Sequence, residues 1–368
     1  MGSLIFKRLR SGLSLWALSL LLLPPIGLAA PTDDRRSVAD QRPIITYPPD
    51  APPPADKPNP VPKQQPTTID YRVPALLRDY SGFLWVGTWG GLTQIDPNTG
   101  RILARVSIPN PITGALAQDK VGRIWVGTAE GLFRIDARTK EVTAQNITLP
   151  SNRVLSLQLD KRGYLWVGTD RGLALISPDQ GLLMTTLQDL PGVSANAMTL
   201  DKDGHLWVGT LESLVQINTA KGKIIKTVAE IPGGVVQTVA ADNHGSIWAG
   251  TPSGLLEVKA QPGRILRSVT QLRGKEIVSL RFDERGTIWV GSGSGLFRLN
   301  PYNGKILGQI AGLPSDRVLI VVTNTGNKLW AGTTEGLAWV SMKDFRARAY
   351  DALFAKGSTP SPTPIRLR

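Results

Sequence analysis

Histidine, the side chain whose charge changes nearest neutral pH, occurs only at His205 and His244, and cysteine is absent from all 368 residues. The missing thiols exclude disulfides, thiolate nucleophiles and cysteine-ligated metals together. The two histidines stand two and four residues before a tryptophan, in or beside a turn. A metal site would need more ligands there, and acid–base catalysis would need a partner carboxylate in a pocket. Asp201-Lys202-Asp203-Gly204, with Glu212 eleven residues after Asp201, comes near a calcium-loop pattern. Its glycine is fourth rather than sixth and a strand intervenes, so it reads as a hairpin. No catalytic residue, metal site or cofactor is expected.

Recognition chemistry lies instead in a series of variable residue pairs: Trp89–Gly90, Ala129–Glu130, Asp170–Arg171, Leu211–Glu212, Pro252–Ser253, Gly293–Ser294 and Thr334–Glu335. Trp89, Glu130, Asp170, Arg171, Glu212 and Glu335 are the expected ligand-binding residues. An exposed indole beside carboxylates can stack on a sugar or grip a peptide. The alternative for Trp89 is packing against the N-terminal segment.

What gathers these pairs is a repeat. Tryptophan recurs at 85, 125, 166, 207, 248, 289 and 330, a period of about 41 residues, within Asp-x-x-Gly-x-Leu-Trp-Val-Gly-Thr-x-x-Gly-Leu. Asp-x-x-Gly between apolar runs is a tight hairpin in which the carboxylate caps turn amides. The apolar–Trp–apolar triplet is a strand buried on both faces, and Thr-x-x-Gly-Leu turns the chain into a third strand. A fourth strand follows, as at Arg264–Val269, and a first one precedes the Asp, as at Arg153–Leu159. Ten residues before the Trp the side chain is small in six units (Ala75, Ala115, Ser156, Ala197, Thr238, Ser279), and Ile320 is the exception. Small residues suit inner strands crowded around an axis. Seven units of four antiparallel strands predict an all-β fold, a single seven-bladed β-propeller, rather than an open β-solenoid. The variable pairs then share one face with the connections between blades, where a constant scaffold displays divergent loops. The ring can close in two ways, by Thr67–Arg72 or by Phe345–Tyr350 completing the last sheet. The alternation in Thr68-Ile69-Asp70-Tyr71 favours the first.

The repeat resembles that of the two-component-regulator propeller family, over about residues 72–341 in seven copies. The resemblance implies a propeller that binds a ligand, as in extracytoplasmic sensors of hybrid two-component systems. Those sensors usually carry two propellers, a β-sandwich, a membrane helix and a histidine kinase. One propeller without a kinase leaves fold and binding as the implied properties, with a sensor subunit serving a separate kinase as an alternative. The chain is also similar to virginiamycin B lyase propellers, whose activity implies histidines and a glutamate around magnesium at one face. Neither His205 nor His244 aligns with a loop of that face, and gluconolactonase-like propellers need a converging carboxylate and metal site that the sequence does not assemble. A lyase-type enzyme is thus a lesser alternative to a non-catalytic binding module.

The net charge is +13, of which residues 1–30 hold +3 and the tail from Met342 holds +4. Residues 31–67 cancel, leaving +6 spread over the repeats, with no basic run suited to nucleic acid. Basic residues gather on fourth strands (Arg101, Arg105, Lys223, Lys226, Arg264, Arg267, Lys305), where they would block edge-to-edge pairing. Lys7, Arg8 and Arg10, then apolar Leu13–Leu23, Pro24–Pro25 and small Gly27 and Ala29 have the order of an export signal over 1–30. Left uncleaved, that segment would be a membrane anchor. The expected organisation is this signal, a proline-rich linker over 31–67, the propeller over 68–350 and a disordered tail over 351–368. The expected partner is an unidentified envelope protein or a saccharide or peptide ligand, in the periplasm or outside the cell.

Overall fold

The computed structural model describes residues 69–109 and 111–355; the expected export signal and linker, residues 1–67, lie outside them. Each repeat folds as a four-stranded antiparallel sheet in which every strand pairs with the next in sequence. The seven blades span residues 75–106, 113–146, 154–187, 197–228, 238–268, 277–310 and 318–349. Innermost strands touch their neighbours all round, blade 7 returning to blade 1. The ring is closed, and the fold is the seven-bladed propeller that the repeat predicts. No helix among the described residues is long and apolar enough to cross a membrane.

The tryptophans explain why separate sheets become one body. All seven are at most 1% exposed. Each packs against the two residues flanking the Trp of the next blade: Trp85 on Ile124 and Val126, Trp125 on Leu165 and Val167, and so on to Trp330 on Leu84 and Val86. Hiding one such side chain is worth on the order of 4–6 kcal/mol of gross transfer free energy. A buried indole N–H needs an acceptor, and the hairpin Asp supplies it: Trp85 Nε1 donates to Asp79 Oδ2 at 2.9 Å, Trp125 to Asp119 and Trp289 to Asp283 at 3.0 Å. The other Asp oxygen accepts turn amides, as Asp79 Oδ1 does from Phe83 at 2.9 Å. The carboxylate predicted as a turn cap is therefore also the anchor of the blade's central aromatic. In blade 7, Asn324 stands in its place and Trp330 Nε1 turns to Thr325 O at 3.2 Å.

The glycine two residues after each Trp sets how closely the blades approach. A methyl group at Gly250 would lie 2.7 Å from Ile277 Cγ2 and 2.9 Å from Ile277 O, in the next inner strand. At Gly332 it would meet Val73, so the same close approach recurs where blade 7 meets blade 1.

Closure differs from the expected clasp. Ala347–Ala349 pairs with Gly336–Ser341, so the last sheet is completed from the C-terminal side and each blade is one continuous segment. Residues 69–71 of the alternating segment make no strand because Asp70 Oδ1 accepts the Arg72 amide at 2.9 Å, turning the chain. The seam between blades 7 and 1 is held by Val73 N donating to Thr333 O at 3.0 Å, Lys328 Nζ to Pro97 O at 2.7 Å, and Arg105 Nη2 to Leu353 O at 2.9 Å. Residues 351–355 belong to this ordered body: Asp351–Leu353 forms a 3-10 turn and Leu353 is buried, whereas the tail was expected to start at 351.

Candidate functional site

The hairpins joining second to third strands are built from the inside. Their first residue, Thr or Ser, is buried, and its hydroxyl donates to a carbonyl three residues on while accepting the amide two residues on. Thr128 Oγ1 meets Gly131 O at 3.0 Å and Glu130 N at 3.1 Å; Thr333 Oγ1 meets Gly336 O at 2.9 Å and Glu335 N at 3.2 Å. The two tip residues are thus fixed through backbone atoms, whatever side chains they carry. The connections between blades dock on the same tips: Ala129 N donates to Ile112 O at 3.2 Å, Gly293 N to Glu276 O at 3.1 Å and Thr334 N to Arg317 O at 3.2 Å. Hairpin tips and connections therefore share one face, as the repeat implies.

All six sequence-predicted residues lie on that face, one hairpin tip per blade apart from the Asp170–Arg171 pair. Glu130, Arg171, Glu212 and Glu335 are exposed. Trp89 is half-buried because Arg72 lies over its ring, 3.3 Å from the centroid, and is itself paired with Asp70. The N-terminal segment thus covers part of the indole. Asp170 is half-buried, and its Oδ1 is enclosed without a hydrogen-bond donor. Trp89, Asp170, Arg171, Glu212 and Glu335 make no hydrogen bond or ion pair with one another. They form a ring of separate tips and not a cluster.

Closer to the axis, on the same face, runs a polar arc that the sequence reading did not single out. Ser194 Oγ donates to Asn196 Oδ1 at 2.9 Å, and Asn196 Nδ2 to Val236 O at 3.2 Å. Gln237 Nε2 donates to Glu276 Oε1 at 3.1 Å, and Arg317 pairs with the same carboxylate at 3.2 Å. Gln237 Oε1 is enclosed and has no donor. These residues sit eleven or thirteen before the tryptophans, and a polar side chain beside an otherwise apolar inner strand was the available signal.

The histidines lie at the opposite face, on the hairpins joining first to second strands. His244 Nε2 is 3.4 Å from the Tyr302 hydroxyl, across the seam between blades 5 and 6. Asp201, Asp203 and His205 come within ligating distance of one another. Asp201 is already committed: Oδ1 accepts the Asp203 and His205 amides at 3.0 and 2.9 Å, and Oδ2 accepts Trp207 Nε1 at 3.0 Å and Gln216 Nε2 at 2.8 Å. That geometry is a capped hairpin with its indole anchor.

Of the outer basic residues read as edge protection, Arg105, Lys226 and Arg267 do something further. Each reaches a carbonyl in the neighbouring blade or closing segment, Lys226 Nζ meeting Ala260 O at 3.0 Å and Arg267 Nη1 meeting Tyr302 O at 3.3 Å.

A closed ring of seven four-stranded blades with variable tips on one face defines a seven-bladed β-propeller. Residues 69–90, 107–130, 148–171 and 189–212 match the family model described as two component regulator propeller. The extracellular domain described as that of the one component system BT4673 from B. thetaiotaomicron superposes with a TM-score of 0.64 at 20% identity, covering 74% of this chain and 38% of that one. The corresponding domain of the hybrid two component system BT3049 from the same organism gives 0.60 at 17% identity, covering 75% and 40%. The chain thus spans about two-fifths of those domains. Virginiamycin B lyase from Staphylococcus aureus gives 0.62 at 16% identity, covering 74% and 94%. At these identities the likeness is one of fold. No curated protein sequence matches the chain.

Proposed function

We propose that this chain is an exported, non-catalytic recognition propeller of the cell envelope, periplasmic or secreted, that binds a saccharide, peptide or protein partner at its hairpin-tip face. One observation carries the reading: Asp170 Oδ1 and Gln237 Oε1, both on that face, are enclosed acceptors without donors. An enclosed acceptor left unpaired costs about 1–3 kcal/mol, and a side-chain rotation that turned it onto the face would let a ligand N–H or O–H recover that cost. The tips around them supply carboxylates at Glu130, Glu212 and Glu335, a guanidinium at Arg171 and the indole of Trp89. Export draws support from the order of basic, apolar and small residues over 1–30 and from the extracellular setting of the BT4673 and BT3049 domains.

A thermal-shift screen with saccharides and short peptides tests this reading. A ligand should raise Tm without being turned over. Asp170→Ala should weaken that ligand about tenfold or more, and Trp89→Ala should weaken it while leaving the ring folded. A ligand whose affinity is untouched by both substitutions would remove this face from the function. The match to two component regulator propeller repeats favours a second reading, in which the same face senses a ligand for a separate membrane kinase. A lyase-type activity is the weaker alternative, because His205 and His244 lie away from the tips.

A further inference from the structure

The seven innermost strands enclose the axis, so side chains at their inner edge meet the water of an axial channel. These strands contain two charged residues, Arg78 and Arg281, and not one carboxylate. Where blade 6 has Arg281, eight residues before its Trp, the other blades have Leu77, Ala117, Gln158, Thr199, Ala240 and Val322.

Both arginines are turned toward blade 7. Arg281 lies opposite Trp289 and on the same strand face as Ser279, whose hydroxyl accepts the blade 7 amide of Val321 at 3.1 Å. Arg78 is two residues beyond Leu76, which packs in one cluster with Trp330 of blade 7. Water reaches the Arg281 side chain, but protein surrounds it closely enough that desolvation lowers its guanidinium pKa. Its one hydrogen bond is from Nη1 to Leu280 O at 3.3 Å, and among the described residues Arg78 has no side-chain partner. The neighbouring carboxylates are committed elsewhere. Asp79 holds Phe83 N and Trp85 Nε1, and Asp283 holds Thr287 N and Trp289 Nε1. In blade 7 the corresponding position is the neutral Asn324. Two unpaired guanidinium groups thus flank the one blade that lacks the hairpin acid.

Two cations facing the same blade with no free carboxylate between them set up a positive potential that attracts an anion. A guanidinium fork matches the two oxygens of a carboxylate or phosphate. We propose that the channel mouth at the first-hairpin end, beside blade 7, binds a small oxyanion, a carboxylate or a phosphate, through Arg281, with Arg78 as the second positive charge. The site lies at the end of the channel away from the hairpin-tip face and is independent of the recognition reading.

The test titrates the full chain with inorganic phosphate or with succinate, holding ionic strength constant with chloride and following Tm and heat of binding. At least one of the two oxyanions should raise Tm saturably where chloride does not, and the one that does so identifies the group bound. R281Q should weaken binding about tenfold or more, R78Q should weaken it less, and R264Q on an outer strand should leave it unchanged. In chloride alone R281Q should melt no lower than wild type, because it removes an uncompensated charge. Equal oxyanion responses in R281Q and wild type, or responses to both oxyanions no different from chloride, would overturn the proposal.

Discussion

Substituting Gly332 by Ala tests the claim that this ring closes by close packing with no strand clasp. The added methyl would lie 2.8 Å from both Ile320 Cγ2 and Val73 Cγ1, and closer still to the Val73 carbonyl oxygen. A side-chain neighbour can rotate away; a backbone carbonyl at a seam can yield only if blades 7 and 1 separate. Overpacking of a well-filled core costs about 1–3 kcal/mol, and a clash with backbone belongs at or above the top of that range. For a body of this size each kcal/mol shifts Tm by about 2–4 °C, so a drop of about 6–12 °C is expected. Gly308 is the control. It lies on the outer strand of blade 6 with nothing within 4 Å of an added methyl and no positive φ. Gly308→Ala should be neutral or stabilising by up to about 1 kcal/mol, through loss of chain entropy in the unfolded state. Thermal denaturation followed by circular dichroism and tryptophan fluorescence reads both. If Gly332→Ala melts with Gly308→Ala and wild type, the blade 7–blade 1 approach is not the tight seam described.

The remaining predictions concern the hairpin acid, the C-terminal strand and the N-terminal segment. Desolvation pushes the Asp201 carboxyl up, but hydrogen bonds from the Trp207 indole, the His205 amide and Gln216 outweigh it, so its pKa lies below the ordinary carboxylate value. Its contribution is complete above about pH 4 and is lost as pH falls through the folded-state value. Asp201→Asn should cost about 1–3 kcal/mol at pH 7, and the gap to wild type should close on acidification; a gap constant from neutral to strongly acid solution would refute this. Ending the chain after Asp344 removes the Ala347–Ala349 strand and buried Leu353 and should abolish a single cooperative melting transition. Deleting residues 64–72 leaves seven complete sheets and should preserve cooperative melting, while uncovering Trp89 to fluorescence quenchers.

The ring was legible because its spacing is set by burial: an indole every 41 residues has only the neighbouring blade to hide against. Small residues ten before each Trp signalled the crowded axis, and Ile320, the exception, packs beside Gly332 at the closing seam. The second role of the hairpin Asp was less visible, because capping turn amides already accounts for an acid there. Closure was misread because period-two alternation over four residues does not reveal that Asp70 will take the Arg72 amide. The hairpin tips were placed on their face by counting from the Trp. The inner arc was missed because Gln237 and Glu276 acquire meaning only when adjacent blades bring them to 3.1 Å.

The same contrast between local and ring-level roles explains the basic composition. Every seam carries at least one cation. Lys140 of blade 2 lies over Trp85 of blade 1 at 4.8 Å, Arg134 of blade 2 reaches Pro178 O at 2.9 Å, and Arg162 of blade 3 reaches Thr219 O at 2.6 Å. Lys226 and Arg267 serve the next two seams, Arg298 of blade 6 lies over Phe345 at 3.7 Å, and Lys328 of blade 7 reaches Pro97 O. A long aliphatic stem with a charged head spans a seam and satisfies a turn carbonyl or an aromatic face, which a carboxylate cannot do. A scatter of Lys and Arg with at least one latch at each junction serves seven seams, and it gives the positive charge over the repeats a structural use. Arg78 and Arg281 stand outside that pattern, which is why they, and not the overall charge, point to an anion.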